Sequence, residues 1–143
     1  MLVRLIYASR AVEAVDVHEL AGLFKRARAR NLQAGITGLL CHCAGSKTFM
    51  QVLEGGRAQV NALYHDITRD ARHADVQLLA YEEIGERRFA GWALGQVSMD
   101  RLNPALVLKY SESALLDPFA MTGAGAMALF EDLVATASVM GER

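Results

Sequence analysis

Apolar residues recur along the chain with two different spacings. Short apolar segments bounded by glycine and polar residues predict five strands, over residues 2–8, 35–43, 48–54, 76–83 and 92–98. Two longer segments repeat apolar residues every three or four positions and predict helices, one after Asp16 and one from about Arg57 to Ala71. The predicted order of elements over the first hundred residues is therefore βαββαββ.

This order predicts the α+β class. Its first six elements, βαββαβ, are those of a ferredoxin-like unit, in which two helices cover one face of the sheet. We therefore expect a mixed five-stranded sheet with both helices on one face, followed by two C-terminal helices. Between the second and third strands, residues 44–47 predict a hairpin turn around Gly45.

The first helix carries an unusual polar residue at its buried edge. Asp16 is suited to cap its N-terminus, with Glu19 as the capping-box partner. The apolar stripe consists of Leu20, Phe24 and Ala27. Extending this stripe by four residues leads to Asn31, so its amide is predicted to be buried. The second helix has the apolar stripe Val60, Leu63, Tyr64 and Ile67, and the polar residues Asp70, Arg72 and His73 follow it.

Residues 1–100 predict one domain, and residues 101–143 predict a helical appendage for oligomerisation or output. Asn103-Pro104 favours the start of a short helix ending near Tyr110. Thr122 is suited to cap a last helix, with Gly141 just past its end. From residue 123 to residue 140 only Glu131 and Asp132 are charged, so this helix should be buried on more than one side. We expect it to pack on the open face of the sheet and to meet a second chain in a homo-oligomer.

Composition narrows the possible partners. The net charge is −1 and the basic residues are scattered, so no nucleic-acid partner is expected. No apolar segment reaches membrane-spanning length, and Arg4 interrupts the apolar start, so we expect neither a membrane contact nor a signal peptide. Cys41 and Cys43 are expected to be reduced thiols on a strand rather than metal ligands. A cytoplasmic protein is the resulting expectation.

Gln51 raises the main chemical question. In the strand "TFMQVLEGG", Phe49, Gln51 and Leu53 share one face, and Met50, Val52 and Glu54 share the other. A buried amide needs a hydrogen-bond partner, and Tyr7, Ser9 and Asn31 also lie at inward positions. Each of these residues alone is explained by an ordinary structural hydrogen bond. Together they suit a planar ligand that has both donors and acceptors, whereas no hydrolytic arrangement or phosphate-binding loop is evident.

Five stretches make the chain resemble the BLUF family, the flavin-binding blue-light sensors. They are "LIYAS" (5–9), "NLQAGITGLL" (31–40), "FMQVLEG" (49–55), "LYHDITRDARH" (63–73) and "RRFAGWAL" (87–94). They occur in the family's order and cover roughly residues 2–98. The resemblance implies a ferredoxin-like fold that holds FAD or FMN non-covalently between its two helices.

The resemblance also implies roles for individual residues. Tyr7 matches the tyrosine that gives an electron and a proton to the excited flavin, and Gln51 matches the glutamine that bridges this tyrosine to the flavin. Asn31 matches the residue that binds the pyrimidine edge of the ring. The remaining residues implied to lie at the flavin are Ser9, Leu23, Ile67, Asp70, Arg72, His73 and Trp92. Ser9 is expected near Gln51 and Trp92, and Leu23 and Ile67 against the ring.

Three positions depart from the family pattern. Arg30 stands where an asparagine is common, and the hairpin before Gln51 is longer than usual. Leu94 replaces a common methionine, so no sulfur can accept a hydrogen bond from Gln51 there. Either Trp92, expected on the fifth strand beside Leu94 and Gln96, occupies that position, or the signal leaves through the backbone.

The resulting interpretation is a short photoreceptor without a catalytic domain, which signals to a separate effector protein by light-driven rearrangement of hydrogen bonds around Tyr7 and Gln51. Two alternatives stay open. One is a flavin-dependent redox enzyme, which would need an open channel and a substrate pocket. The other is an interaction module that binds a partner and no flavin.

Overall fold

The structure is a computed structural model that describes residues 1–13 and 16–141. Its strands are β1 (Leu2–Ala11), β2 (Thr37–Cys43), β3 (Thr48–Gly56), β4 (His73–Ile84) and β5 (Gly95–Ser98). Its α-helices are α1 (Val17–Ala34), α2 (Arg57–Arg69), α3 (Pro104–Leu108) and α4 (Gly123–Ala135). Residues Met99–Arg101 and Pro118–Ala120 form short 3₁₀ turns. The predicted α+β class and element order are confirmed.

The five strands form one mixed sheet in the order β4-β1-β3-β2-β5. All neighbouring pairs are antiparallel except β2 and β5, which are parallel. One row of paired residues crosses the sheet from β1 to β5. Tyr7 pairs with Gln51, Gln51 with Leu40, and Leu40 with Gln96. Beyond the edge, Gln96 exchanges two backbone hydrogen bonds of 2.8 Å with Met140.

Each face of the sheet has its own apolar core. On the face covered by α2, the core consists of Val3, Leu5, Tyr7, Ile36, Leu53, Val60, Leu63 and Ile67. The opposite face packs against α4, and its fully buried members include Leu39, Met50, Val52, Leu129, Phe130 and Leu133. The predicted alternation along β3 is thus confirmed, and so is the packing of the last helix on the open face.

Local capping explains where α1 begins and ends. Asp16 accepts a hydrogen bond of 3.0 Å from the backbone N–H of His18, as an N-cap should. The helix ends at Gly35, whose φ of 69° is left-handed and whose N–H donates to the carbonyls of Asn31 and Leu32. This cap fixes Asn31 in the last turn of α1, where it is fully buried as predicted.

The predicted boundaries of β1, β2 and β4 are displaced by up to three residues, and two further boundaries are wrong for reasons that the contacts explain. The fifth strand begins at Gly95 and not at Trp92. Trp92 accepts one hydrogen bond from Gly38 at the start of β2, but residues 92–94 form a bend and the Ala93 carbonyl bonds to the Asn31 side chain. The last helix ends at Ala135 and not beside Gly141. The Thr136 hydroxyl donates to the Asp132 carbonyl at its end, and the chain then turns through Ala137, which has a φ of 55°.

Candidate functional site

A cavity of about 570 Å³ lies between α1 and the end of α2, above the sheet. Tyr7, Leu40, Phe49 and Gln51 contribute to its wall from three strands, and Leu94 contributes from the segment before β5. The helical side includes Leu20, Leu23, Phe24, Ala27, Arg30 and Ile67. This volume lies in the range of cofactor and small-molecule sites, and its walls combine apolar groups with a few polar ones.

Tyr7 and Gln51 form a buried pair in this wall. They are cross-strand neighbours, and the Tyr7 hydroxyl donates a hydrogen bond to Gln51 Oε1. Burial raises the pKa of the Tyr7 phenol well above its usual range, although the nearby Arg30 charge lowers it somewhat. The phenol therefore stays protonated and acts as the donor. Because Gln51 Oε1 accepts from Tyr7, its amide retains the Nε2 end as a donor for another group.

Asn31 lies beside the cavity with one half of its amide used. Its Nδ2 donates to the Ala93 carbonyl at 2.8 Å. Its Oδ1 is buried and has no hydrogen-bond partner among the described residues. A buried acceptor without a partner costs free energy, so this oxygen is suited to receive a donor from a bound molecule. Asn31 itself is not part of the cavity wall, but its neighbour Arg30 is.

The polar end of the cavity is built after α2. Asp70 pairs with Arg72 through several hydrogen bonds, which lower the pKa of Asp70 to about 2. His73 Nδ1 lies 2.9 Å from the Ser9 hydroxyl, and its ring meets Phe49 edge-on with centroids 5.6 Å apart. Burial lowers the pKa of His73, so the ring favours its neutral form. Asp70, Arg72 and His73 therefore line the cavity together, and Ser9 orients His73.

Of the predicted site residues, Ser9, Asn31 and Trp92 are not part of the cavity wall, and Trp92 lies on the other face of the sheet. It belongs to the apolar core on the α4 face, whereas Leu94 lines the cavity on the opposite face. The expectation that Trp92 shares a face with Leu94 and Gln96 is wrong, because residues 92–94 form a bend instead of a strand. The Ser9 hydroxyl lies within hydrogen-bond distance of His73 Nδ1. Leu94 therefore stands in the cavity wall where the family pattern has its methionine.

Several wall residues were not predicted as site residues. Phe49 and Leu40 could have been found from the sequence, because alternation places Phe49 beside Gln51 and the hairpin pairs Leu40 with Gln51. Arg30 was noted only as a departure from the family pattern. Phe24 and Leu20 were assigned to the apolar stripe of α1, and the stripe in fact faces the cavity.

Other classes of site find little support in the part of the chain that the structure describes. Residues 1–13 and 16–141 contain no group of three or more histidine, cysteine, aspartate or glutamate side chains placed to hold a metal ion. None of the helices formed by these residues is both long and apolar enough to cross a bilayer. Cys41 and Cys43 are buried and free, as predicted.

A ferredoxin-like sheet with a cavity between its helices and a buried tyrosine–glutamine pair defines a cofactor-binding sensor domain. The family described as sensors of blue-light using FAD, or BLUF, matches residues 2–95. The chain belongs to this family. The match confirms the predicted resemblance, the blue-light sensor function and the flavin cofactor, which the family's description names as FAD.

Two relatives and one solved structure illustrate the similarity. The chain is 34% identical over 102 residues to the photoactivated adenylate cyclase subunit beta of Euglena gracilis, covering 71% of this chain and 12% of that protein. It is 34% identical over 89 residues to the blue light- and temperature-regulated antirepressor BluF of Escherichia coli, covering 62% of this chain and 22% of that protein. The dark-state structure of the BLUF protein BlrB matches with a TM-score of 0.78 and 31% identity, covering 95% of this chain and 96% of that one. The chain thus spans a minor part of both curated relatives.

The residues of this cavity fit a flavin. The isoalloxazine ring is planar and apolar on its faces, and it has donors and acceptors along one edge. Leu23 and Ile67 supply apolar surface from the two helices. At the edge, the unpaired Oδ1 of Asn31 can accept, and the free end of the Gln51 amide can donate. The observation that carries this fit is the unpaired Asn31 oxygen.

Proposed function

We propose that light acts on this sensor by rearranging the hydrogen bond between Tyr7 and Gln51. The observation that carries the proposal is that bond itself, which is buried in the cavity wall. A bound flavin supplies a ring that absorbs blue light and takes up an electron when excited. Tyr7 holds its proton at the hydroxyl, aimed at Gln51 Oε1. It is therefore placed to release an electron and this proton together.

The Gln51 amide is suited to register such an event. Its two ends are a donor and an acceptor, so rotation or tautomerisation of the amide exchanges the group that faces the cavity. In the present arrangement Oε1 is turned to Tyr7. After the rearrangement, Gln51 would offer a different hydrogen bond to the edge of a bound flavin, which would shift its absorption to the red. No covalent bond to the protein is required.

We propose that the change leaves the cavity along the sheet. Gln51, Leu40 and Gln96 are successive partners in one row, and Gln96 bonds to Met140 beyond α4. A shift at Gln51 can therefore bias the C-terminal segment without passing through Trp92. This is a population shift of an appended element by a bound ligand. The division into a sensor domain of residues 1–100 and an output segment of residues 101–143 is part of this proposal.

The output that we propose is contact with a separate effector protein, so the chain is a sensor and not an enzyme. The relatives named as a cyclase subunit and an antirepressor support coupling of such domains to different outputs. We also propose that the chain forms homo-oligomers in the cytoplasm. The exposed Leu78 and Tyr81 on the edge strand β4 support the oligomer. The free cysteines support a cytoplasmic location, because disulfides form in oxidising compartments. Light scattering tests the oligomer.

The decisive experiment is an absorption spectrum of the purified, FAD-loaded protein before and after blue light. We expect a reversible red shift of the flavin band that decays in the dark. A bleached spectrum that recovers only with oxygen would favour the redox-enzyme alternative. A colourless protein that cannot be loaded with FAD would favour the flavin-free interaction module.

A further inference from the structure

Glu54 is a buried carboxylate on the face of the sheet that is opposite to the cavity. It is fully buried and follows Met50 and Val52 along the β3 side that faces α4. Its Oε2 accepts from Arg4 Nε at 2.8 Å, and Arg4 also bonds to Glu82 on the other side. A charge so deeply buried needs several hydrogen bonds, and Arg4 alone does not supply them.

The other partners of Glu54 are backbone groups of a loop. Its Oε1 accepts from the N–H of Arg88 at 3.0 Å and from the N–H of Phe89 at 2.7 Å. Both belong to the segment between β4 and β5, residues 85–94, which we call the wall loop. Hydrogen bonds to an ionised acceptor are stronger than neutral ones, so Glu54 is a strong anchor of this loop.

The wall loop reaches the cavity at its other end. The Ala93 carbonyl accepts from Asn31 Nδ2 at 2.8 Å, and the next residue, Leu94, lines the cavity. The Trp92 carbonyl accepts from Gly38 N at 3.0 Å. A side chain at Gly38 would place its Cβ 1.9 Å from the Val52 carbonyl oxygen, so this position in β2 admits only glycine. Glu54 and Asn31 thus hold the same loop from opposite faces of the sheet.

The wall loop also contacts α4. Phe89 meets Phe130 edge-on with ring centroids 6.2 Å apart, and Arg88 Nε lies 3.8 Å from Glu131. The two residues whose amides bind Glu54 therefore also contact α4. A displacement of Asn31 can pass through Ala93 and the loop to this helix only while the loop is anchored.

We propose that Glu54 is a positioning residue of the flavin site, which fixes the wall loop so that Ala93 orients Asn31 and Phe89 abuts α4. The proposal rests on the proposed function of the cavity. Glu54 acts on the wall loop through hydrogen bonds from the backbone N–H groups of Arg88 and Phe89. Without it, the Ala93 carbonyl that accepts from Asn31 Nδ2 would no longer be held in place, and the unpaired Oδ1 of Asn31 would lose its fixed orientation.

The test compares two double variants that differ only at residue 54. Arg4→Met/Glu54→Met removes the acceptor for the loop without leaving the arginine charge unpaired. Arg4→Met/Glu54→Gln has a side chain of similar length and keeps one amide oxygen for the N–H groups of Arg88 and Phe89. We expect the second variant to match the wild type within about twofold in flavin affinity and dark-recovery rate. The Arg4→Met/Glu54→Met variant should bind FAD about fivefold more weakly and recover about fivefold faster. A factor of about five is the change in an equilibrium constant that the loss of one net hydrogen bond produces.

Equal affinities and recovery rates in the two variants would overturn the role of Glu54. If the methionine pair does not fold, hydrogen exchange in the wild type decides. The amides of Arg88 and Phe89 should then be strongly protected compared with Gly85, and their protection should change in blue light. Exchange as fast as at Gly85, or unaffected by light, would contradict the proposal. An absence of any red shift in the wild type would instead overturn the proposed function.

Discussion

At the scale of single residues, the chemistry of this site depends on amides that are incompletely satisfied by the protein. The sequence predicts that Gln51 needs a partner, and the structure supplies Tyr7 from the neighbouring strand. Asn31 is predicted at a buried helix end, and the structure leaves its Oδ1 unpaired. Buried amides are normally saturated in a protein that binds nothing. The unpaired groups of these two residues therefore indicate that the ligand offers both a hydrogen-bond donor and an acceptor.

Replacing Tyr7 by phenylalanine should abolish the photocycle and preserve flavin binding. The ring would still pack near Tyr64, whose centroid lies 5.7 Å away, but no hydroxyl would donate to Gln51. The measurement is the light-minus-dark difference spectrum of the FAD-loaded variant. Tyr64→Phe is the matched control, because Tyr64 is close to Tyr7 and is not paired to Gln51. A normal red shift in Tyr7→Phe would remove Tyr7 from the mechanism.

Replacing Asn31 by alanine should weaken flavin retention. The change removes the unpaired Oδ1 and also leaves the Ala93 carbonyl without its donor. We expect a loss of about 1–3 kcal/mol in flavin binding, which is roughly a 5- to 150-fold higher Kd. Fluorescence titration with FAD measures it. Asn61→Ala is a suitable control, because Asn61 is exposed on α2 and its side chain accepts from Tyr81, away from the cavity wall. Equal affinities for both variants would contradict the placement of Asn31.

At the scale of elements, periodicity and caps predicted most of the fold. The stripes of the two long helices, the alternation of β3 and the caps at Asp16, Asn103 and Thr122 all agree with the structure. These signals are local, since each depends on residues within a few positions of one another. The assignment of faces followed from them, and so did the prediction that the polar residues meet on the helix-covered face. The position of the ligand between the two helices was implied by the resemblance to the BLUF family.

The elements that could not be predicted are fixed by distant contacts. The segment before β5 has strand composition, yet its carbonyls accept hydrogen bonds from Gly38 and from the Asn31 side chain. The Glu54 carboxylate accepts from backbone N–H groups of the wall loop. Nothing in the segment "RRFAGWAL" itself predicts hydrogen bonds to residues so distant in sequence. Likewise the chain carries no charge from residue 133 to residue 140, which favoured a longer helix, but α4 ends at Ala135 and Met140 pairs with Gln96. Tertiary hydrogen bonds overrode local propensity at both places.

The core that joins α4 to the sheet should dominate the stability of the C-terminal segment. Leu133 is fully buried there, so Leu133→Ala is expected to lower the free energy of unfolding by about 2–5 kcal/mol. Leu108→Ala on α3 is the control, since this side chain is 51% exposed and its loss should cost no more than about 0.5 kcal/mol. Urea denaturation measures both. If Leu133→Ala lowered the free energy of unfolding as little as Leu108→Ala does, α4 would contribute little to the stability of the fold.

At the scale of the whole molecule, the sheet separates the flavin cavity from the surface that we propose for output. The cavity is on the α1 and α2 face, and the C-terminal helices pack on the other. Residues beyond 100 share a core with Leu39, Met50 and Val52, so deleting them would expose this face. The output segment is therefore an integral layer of the fold, and a signal must cross the sheet or pass around its β5 edge.

Hydrogen exchange in dark and light should show whether the signal reaches that layer. In the FAD-loaded wild type, we expect blue light to change the exchange of the amides of Gln96 and Met140, which bond to each other across the β5 edge, and of the first residues after α4. The reason is that the row from Tyr7 through Gln51 and Leu40 ends at this bridge. The illuminated Tyr7→Phe variant is the control, because it absorbs the same light without rearranging Gln51, and its exchange should equal that of the dark protein. If the wild type shows a red shift while exchange along β5 and after Ala135 stays the same in dark and light, the C-terminal segment does not carry the output.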